Sequence, residues 1–314
     1  IDREYATERF RLWINKGPFF YLFYNIRLFI YLIFNRFQIV LSNDLDTLPA
    51  CSTATKLKKK KLVYDSHELF TEVPELVARP KIKAVWERIE KTFISNIQWG
   101  YTVCEPIAEI YRSKYHISMH VIRNVPHKQT QPEIDKFDTP TLIYQGALNM
   151  GRGLELMIDA MQYLPDFQLI ICGKGYLLKT LQDLCNEKNL TNVNFTGHLD
   201  FTALQQMTSK AHIGLSWEEN IGKNYYYALP NKLFDYIQAR IPVLISDLPA
   251  MRQIVDGYNV GKVLSDRNPE KIAMQIRGIY SNRHTFAEAL ENASHELCWE
   301  NEEKKLLEIS NQII

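Results

Sequence analysis

The sequence predicts an α/β protein made of two Rossmann-like domains that face a cleft. Three observations lead there. From Phe37 onward, short β-branched or apolar runs alternate with amphipathic helical stretches, the pattern of parallel βα units. The alternation occurs twice, on either side of an aperiodic stretch at 124–140 that holds three prolines and the run Pro-His-Lys-Gln-Thr-Gln-Pro. A chain of 314 residues, 46% hydrophobic and 23% charged, can bury about two cores.

In the first series the expected strands are 38–41, 61–64, 101–104 and 120–122. A helix is expected over 82–97, where Ile82, Val85, Trp86, Ile89 and Phe93 fall at helical spacing as one apolar stripe. In the second series the strands read 141–145, 168–172, 193–196, 212–216 and 242–246, with helices such as the one carrying Leu154, Met157, Ile158 and Met161. This gives a first domain at 1–126, a linker at 127–140, a second domain at 141–295 and a C-terminal helix at 296–314. From 287 onward the chain reads as a charged helix or helix pair whose apolar content is Trp299, Leu306, Leu307 and Ile309. A cleft between two such domains is the usual place for a ligand.

With 37 basic and 36 acidic residues the formal net charge is +1, so no global field draws nucleic acid, and any anion must be recognised locally. Cys51, Cys104, Cys172, Cys185 and Cys298 are scattered, odd in number and mostly set in apolar runs, as in a reduced compartment, which points to the cytoplasm. No CxxC pair occurs, and His116 and His120 lie in a strand-like stretch, so neither a metal nor another cofactor is expected. The opening at Ile1 lacks the usual first strand of an α/β domain, which implies that an N-terminal piece precedes it.

Residues 19–34 are apolar or aromatic apart from Asn25 and Arg27. A membrane-spanning helix needs about 20 apolar residues, and a central arginine would cost at least ~2.5 kcal/mol, so a span is not expected. The favoured reading is a helix buried in the first domain. The other is an interfacial helix held to an anionic membrane by Lys16, Arg27, Arg36 and the lysine run 58–61.

Two segments carry chemistry. Gln145-Gly146-Ala147-Leu148-Asn149-Met150-Gly151-Arg152-Gly153 joins a strand to a helix; its glycines let backbone approach a ligand, and the helix N-terminus with Arg152 suits a diphosphate, although a tight turn with a solvated arginine fits equally. Gly173-Lys174-Gly175 follows the next strand, and turn geometry alone explains it. In Tyr225-Tyr226-Tyr227-Ala228-Leu229-Pro230-Asn231-Lys232-Leu233-Phe234-Asp235-Tyr236, Pro230 and Asn231 open a helix, which puts Lys232 at its N-terminal end. A lysine is unfavourable there unless an anion occupies the site, and Asp235, one turn on, can accept from a ribose diol. The plainer alternative is an exposed lysine and an aspartate that merely suits the helix dipole.

On Tyr144-Gln145-Gly146 to Arg152-Gly153, Ile170-Ile171-Cys172-Gly173-Lys174-Gly175, Asn192-Val193-Asn194-Phe195-Thr196-Gly197, Ala211-His212-Ile213-Gly214-Leu215-Ser216 and Leu233-Phe234-Asp235-Tyr236 to Ile241-Pro242-Val243-Leu244, taken in that order, the second domain resembles the donor domain of retaining GT-B glycosyltransferases of the group 1 (GT4) family. The first domain is similar through Asn43-Asp44-Leu45-Asp46-Thr47-Leu48, Val63-Tyr64-Asp65-Ser66-His67-Glu68-Leu69-Phe70 and Thr102-Val103-Cys104-Glu105. The match runs from about Gln38 and lacks the family's first strand and glycine-rich loop.

The resemblance implies donor contacts at Gly146, Arg152, Gly173, Asn231, Lys232 and Asp235, with Arg152 in the place of the family's phosphate-binding lysine. Ala147 stands where the family has a partner arginine. Tyr227 stands where it has the first glutamate of its pair, so Glu218 or Glu219 must supply that role if it is filled. His67 matches the histidine beside the transferred sugar. The implied reaction is retaining transfer from a nucleotide sugar to a glycan or lipid-linked acceptor in cell-surface polysaccharide synthesis, without a metal, by a cytoplasmic enzyme resting peripherally on the membrane. A sugar-nucleotide epimerase of the same fold and a degenerate, non-catalytic sugar-nucleotide binder are the alternatives.

Overall fold

The computed structural model describes residues 5–14, 16–129 and 135–313, and these divide into two compact units, one running to Val121 and including Ile313, the other spanning Ile122–Gln312. Of the expected linker, residues 130–134 lie outside the described residues.

The first unit runs α1 (Pro18–Phe34), β1 (Ile39–Asn43), α2 (Asp44–Lys58), β2 (Lys61–Ser66), α3 (Pro74–Val77), α4 (Pro80–Ile94), β3 (Trp99–Thr102), α5 (Glu105–Tyr115) and β4 (His120–Val121). Its four strands pair in parallel in the order β1-β2-β3-β4. Helices connect the consecutive parallel strands; the inner strand β2 is buried on both faces, whereas the edge strand β1 alternates buried and exposed positions.

Two expectations about this unit fail. On α1 only Leu32 is buried, while Phe19, Leu22, Phe23, Ile26, Ile30 and Phe34, spaced to share a face, are 45–83% exposed, so the helix is not a core element. Asn25 on the other side ties it to α2, donating to Asp46 O (2.7 Å) and accepting from Ala50 N (3.1 Å). The lysine run is also otherwise engaged: Lys58 Nζ donates to the α1 C-terminal carbonyls of Leu32 (3.1 Å), Ile33 (2.9 Å) and Asn35 (2.6 Å), Lys60 to Gln38 Oε1 (2.7 Å), and Lys61 to the carbonyl of Ile313. Arg27 is held by Arg11 O (2.9 Å) and lies 5.3 Å from the Phe10 ring. The expected stripe on α4 is displaced as well: Trp86, Glu90 and Ile94 are its buried positions, and Ile82 and Val85 are exposed. Glu90 can be buried because Tyr115 and Tyr111 hydroxyls and Lys114 Nζ, all on α5, donate to it.

The second unit runs β5 (Thr141–Gln145), α6 (Leu154–Met161), β6 (Gln168–Cys172), α7 (Leu178–Glu187), β7 (Val193–Gly197), α8 (Phe201–Lys210), β8 (Ile213–Ser216), α9 (Lys223–Tyr226), α10 (Asn231–Gln238), β9 (Val243–Ile245), α11 (Pro249–Tyr258), β10 (Gly261–Val263), α12 (Pro269–Ser281), α13 (Ala287–Glu296) and α14 (Trp299–Ile313). The sheet is parallel throughout, in the order β10-β9-β8-β5-β6-β7. The chain therefore leaves β5 toward β6 and β7, then returns to β8 on its other side. The C-terminal ends of β5 and β8 form a topological switch point, where loops diverge and open α/β sheets bind ligands.

Leu154, Met157, Ile158 and Met161 on α6 are all buried. All five cysteines are buried and free. The C-terminal segment is a helix pair, α13 and α14, but its apolar content differs from expectation: Leu290, Leu297 and Ile309 are buried and Leu307 is exposed.

Candidate functional site

The loop from β5 crosses the switch point and is pinned from below. Gly146 N donates to Cys172 O (3.0 Å), Leu148 N to Lys174 O (3.0 Å) and Leu177 N to Leu148 O (3.1 Å), so the loops after β5 and β6 hold each other by backbone. Gly173, at φ 154°, packs so closely that a Cβ would strike the Gly146 carbonyl, which makes it a packing glycine. Gly153 caps α6 at φ 69°, and a Cβ there would meet the Trp217 carbonyl and sit 2.9 Å from Trp217 Cβ. The β5 loop thus lies directly against the loop after β8.

That contact brings the charged residues together. Glu218, fully buried just past β8, accepts from Ser216 Oγ (2.7 Å) and faces Lys232 Nζ at 2.7 Å and Arg152 Nη1 at 3.6 Å through one oxygen, Oε1. Lys232 is 8% exposed, so it is not the solvated lysine of the plainer reading. Its ammonium lies 4.1 Å from the centre of the Tyr144 ring and 3.8 Å from where a Cβ of the exposed Gly146 would be. Arg152, at the end of the β5 loop, lies 5.1 Å from the Tyr225 ring. Burial pushes the Glu218 carboxyl up, but Lys232, Ser216 and Arg152 together outweigh that and hold it below the ordinary carboxylate range. Burial lowers the Lys232 ammonium, and Glu218 opposes this.

Arg152 Nε is buried with no hydrogen-bond partner among the described residues, and the buried Lys232 Nζ has no acceptor beyond the paired Glu218 Oε1 at 2.7 Å. Buried donors without acceptors mark a place for an acceptor-rich ligand. The N-termini of α6 and α10, with Asn231 exposed at the first position of α10, add partial positive charge.

One turn into α10, Asp235 Oδ2 accepts from Gln145 Nε2 (2.6 Å), whose Oε1 in turn accepts from Thr208 Oγ1 (2.9 Å). These three residues line a recess of about 40 Å³ with Gln129, Phe201 and Gln205. Burial pushes the Asp235 carboxyl up to about 6, against the Gln145 amide, which lowers it. Sequence reasoning quoted Tyr144, Gln145 and Tyr225 within its motifs without giving them a role, and missed Thr208, which lies in none.

Neither of the other candidates joins the ion cluster. Glu219 donates its N–H to Gly151 O (2.9 Å) and pairs with Arg267 (3.3 Å). Tyr227 follows α9 with its ring 4.9 Å from that of Tyr226. In the first unit, His67 lies just past β2 with Nε2 3.1 Å from Asp65 Oδ2, its side chain 40% exposed. Its N–H donates to Oδ1 of Asp44 (3.2 Å), which sits at φ 57°. The hydrogen bond that its ring donates to the Asp65 carboxylate raises the His67 pKa, against partial burial.

The sequence profile of glycosyl transferases group 1 matches residues 127–296, more than half of the chain and all of the ion cluster. The chain belongs to the group 1 glycosyltransferase family. No curated protein matches it by sequence. Similar solved structures include sucrose-phosphate synthase from Thermosynechococcus elongatus (16% identity, TM-score 0.72, covering 92% of this chain and 77% of that one). A glycosyltransferase from Rickettsia africae has 14% identity and TM-score 0.72, covering 96% and 84%. Anabaena HepE in complex with UDP and glucose has 14% identity and TM-score 0.73, covering 94% and 83%. At these identities the likeness concerns the fold, which is that of GT-B glycosyltransferases: two Rossmann-like domains, each built on a parallel sheet.

Proposed function

We propose that this group 1 glycosyltransferase moves a sugar from a nucleoside-diphosphate sugar to a glycan or lipid-linked acceptor in cell-surface polysaccharide synthesis, with retention of configuration as in GT4 enzymes. The observation that carries the reading is the meeting of the buried Lys232 with Arg152, whose Nε is buried without a partner among the described residues, at the switch point of the second sheet. Breaking the bond between anomeric carbon and phosphate leaves negative charge on the departing diphosphate beside an oxocarbenium-like sugar. The two cations and two helix N-termini stabilise that charge without a metal. Asp235, reached through the same helix, is the acceptor for the ribose diol, and His67 is assigned to the transferred sugar. The complex of HepE with UDP and glucose supports this class of donor.

The test is a panel of nucleoside-diphosphate sugars scored for nucleoside-diphosphate release with and without candidate acceptors. Release that requires an acceptor supports transfer; release without one, with epimerised sugar, supports the epimerase alternative. Arg152→Ala is expected to weaken donor binding more than tenfold with the melting temperature retained. Wild-type protein that no nucleotide binds or stabilises would overturn the reading.

The exposed apolar face of α1, flanked by the exposed Lys16 and Arg36, supports a peripheral position on an anionic membrane at the cytoplasmic face. No described helix is long and apolar enough to cross one. Co-flotation with anionic liposomes that is lost in Phe19→Ser/Ile26→Ser is the expected result; protein that stays wholly unbound removes the membrane assignment.

A further inference from the structure

We infer that Glu218 is a positioning residue of the donor site: it keeps Lys232 charged and Arg152 in place while no phosphate is bound, so that the cations are ready when the donor arrives. The inference rests on the nucleotide-sugar reading above. Glu218 belongs to neither helix that presents the cations; it comes from the loop after β8 and meets both through Oε1, with Ser216 fixing Oε2. Two cations this close without a carboxylate between them would repel, and the buried Lys232 would be the one to lose its proton, since lysine changes charge readily when buried and arginine does not.

The groups facing Lys232 support this division of labour. From the β8 loop there is Glu218, from the β5 loop Arg152, from β5 itself the Tyr144 ring, and from α9 Tyr225, which lies against Arg152. The next carboxylate, Asp235 on the same helix, is occupied by Gln145. Glu218 is therefore the one carboxylate among these groups placed to offset both burial and Arg152 at the Lys232 ammonium. The geometry also leaves it displaceable: Arg152 is its looser partner at 3.6 Å and 28% exposed, so a diphosphate can draw the guanidinium away while Lys232 remains paired.

The experiment is calorimetric titration of UDP, GDP and ADP, each in turn, into the whole chain between pH 7.5 and 9.5, where Asp235 is already ionised. Wild type is expected to bind one of them with nearly constant affinity. Glu218→Gln is expected to lose affinity progressively, by up to about tenfold per pH unit and so about 100-fold across the range, because binding must then recruit a proton to Lys232. Glu218→Gln combined with Lys232→Arg is expected to restore a flat profile, since arginine stays charged. A purely structural Glu218 would move affinity without changing its pH dependence, and the same slope in Glu218→Gln as in wild type overturns the inference while leaving donor binding intact. Wild type that binds none of the three overturns the donor reading and this inference with it. If Glu218→Gln does not fold, Glu218→Gln with Lys232→Met, which removes the uncompensated cation, is expected to fold and to bind weakly at all pH values. Failure of that pair to fold also overturns the inference, because Glu218 would then serve the core and not the cations.

Discussion

Asp235→Asn should make the protein more stable above pH 7 and poorer at binding its donor. Burial raises the Asp235 carboxyl from the ordinary 3.8 to about 6. The folded state therefore holds this proton more tightly than the unfolded chain does, and ionising Asp235 is costlier in the fold. The sign follows: its contribution is most favourable below the unfolded pKa, declines as pH rises through the window from about 4 to about 6, and stays at its low plateau above that. At 1.36 kcal/mol per pKa unit the loss across the window is about 3 kcal/mol. Asparagine has no such ionisation but keeps a carbonyl oxygen to accept from Gln145 Nε2, now without charge assistance, which returns about 1 kcal/mol of the gain. The net expectation is a variant roughly 2 kcal/mol more stable than wild type at pH 8 and indistinguishable or slightly weaker at pH 4. Urea denaturation of both proteins at pH 4, 6 and 8, with donor binding measured at pH 8, tests it. A stability difference that does not change with pH would refute the buried, raised carboxyl. A variant that binds donor as well as wild type would refute the diol role. A residue that costs stability in the empty protein and is repaid by two ligand hydroxyl donors is the combination expected of a binding group.

Gly153→Ala should cost roughly 2–5 kcal/mol, combining about 1–2 for an alanine in the left-handed region with about 1–3 for the collision with Trp217; a loss under roughly 0.5 kcal/mol in urea would contradict the contact of the loops. Asp65→Asn should lower the His67 pKa, read by NMR titration of the ring protons. Because His67 is raised in the fold, the Asp65 contribution is fully present below the unfolded histidine pKa and fades as pH rises through the folded one, so the stability gap between the two proteins should narrow toward pH 8. Lys58→Ala should destabilise by about 1–2 kcal/mol, since three carbonyls at the end of α1 lose their cation; hydrogen exchange at the C-terminal end of α1 should rise with it, and unchanged protection there would argue against the cap.

The parts of the fold that sequence reasoning reached are those where one local pattern settles the outcome. Strands 141–145 and 168–172 coincide with β5 and β6 because a buried run bounded by glycine or proline has few other uses. The helix opening at Asn231 was legible from Pro230, whose fixed φ suits a helix start. Where partners come from elsewhere in the chain, the pattern misled. Glu90 lies outside the apolar stripe expected on 82–97 and is buried because α5 supplies its donors. Residues 58–61 entered only the alternative, interfacial reading, and nothing in their run of charge announces that Lys58 caps a helix that ends more than 20 residues before it. The apolar composition of 19–34 says that the helix hides something without saying from what. β10, three residues long, is too short to leave a periodicity. At the site, Lys232 and Arg152 were legible as types, but their convergence on Glu218 depends on the β5–β8 pairing.

That convergence bears on the clearest departure from the family pattern, Ala147 in place of an arginine. The cluster of Arg152, Lys232 and Glu218 carries a net charge of +1 when all three are ionised. The N-termini of α6 and α10 add roughly half a charge each, so a phosphate group bound at the proposed site would meet an effective charge near +2. That balances a dianionic diphosphate ester before its bond to the sugar breaks. In the proposed reaction the leaving group would gain further charge as the bond breaks, and the cation freer to answer would be Arg152, held by Glu218 at 3.6 Å where Lys232 is held at 2.7 Å. A guanidinium that turns from carboxylate to phosphate strengthens its interaction as the leaving group departs, which is the differential stabilisation that accelerates a reaction. A third cation at position 147 would bind the intact donor more tightly as well, and binding shared equally by donor and transition state does not raise the rate of the chemical step.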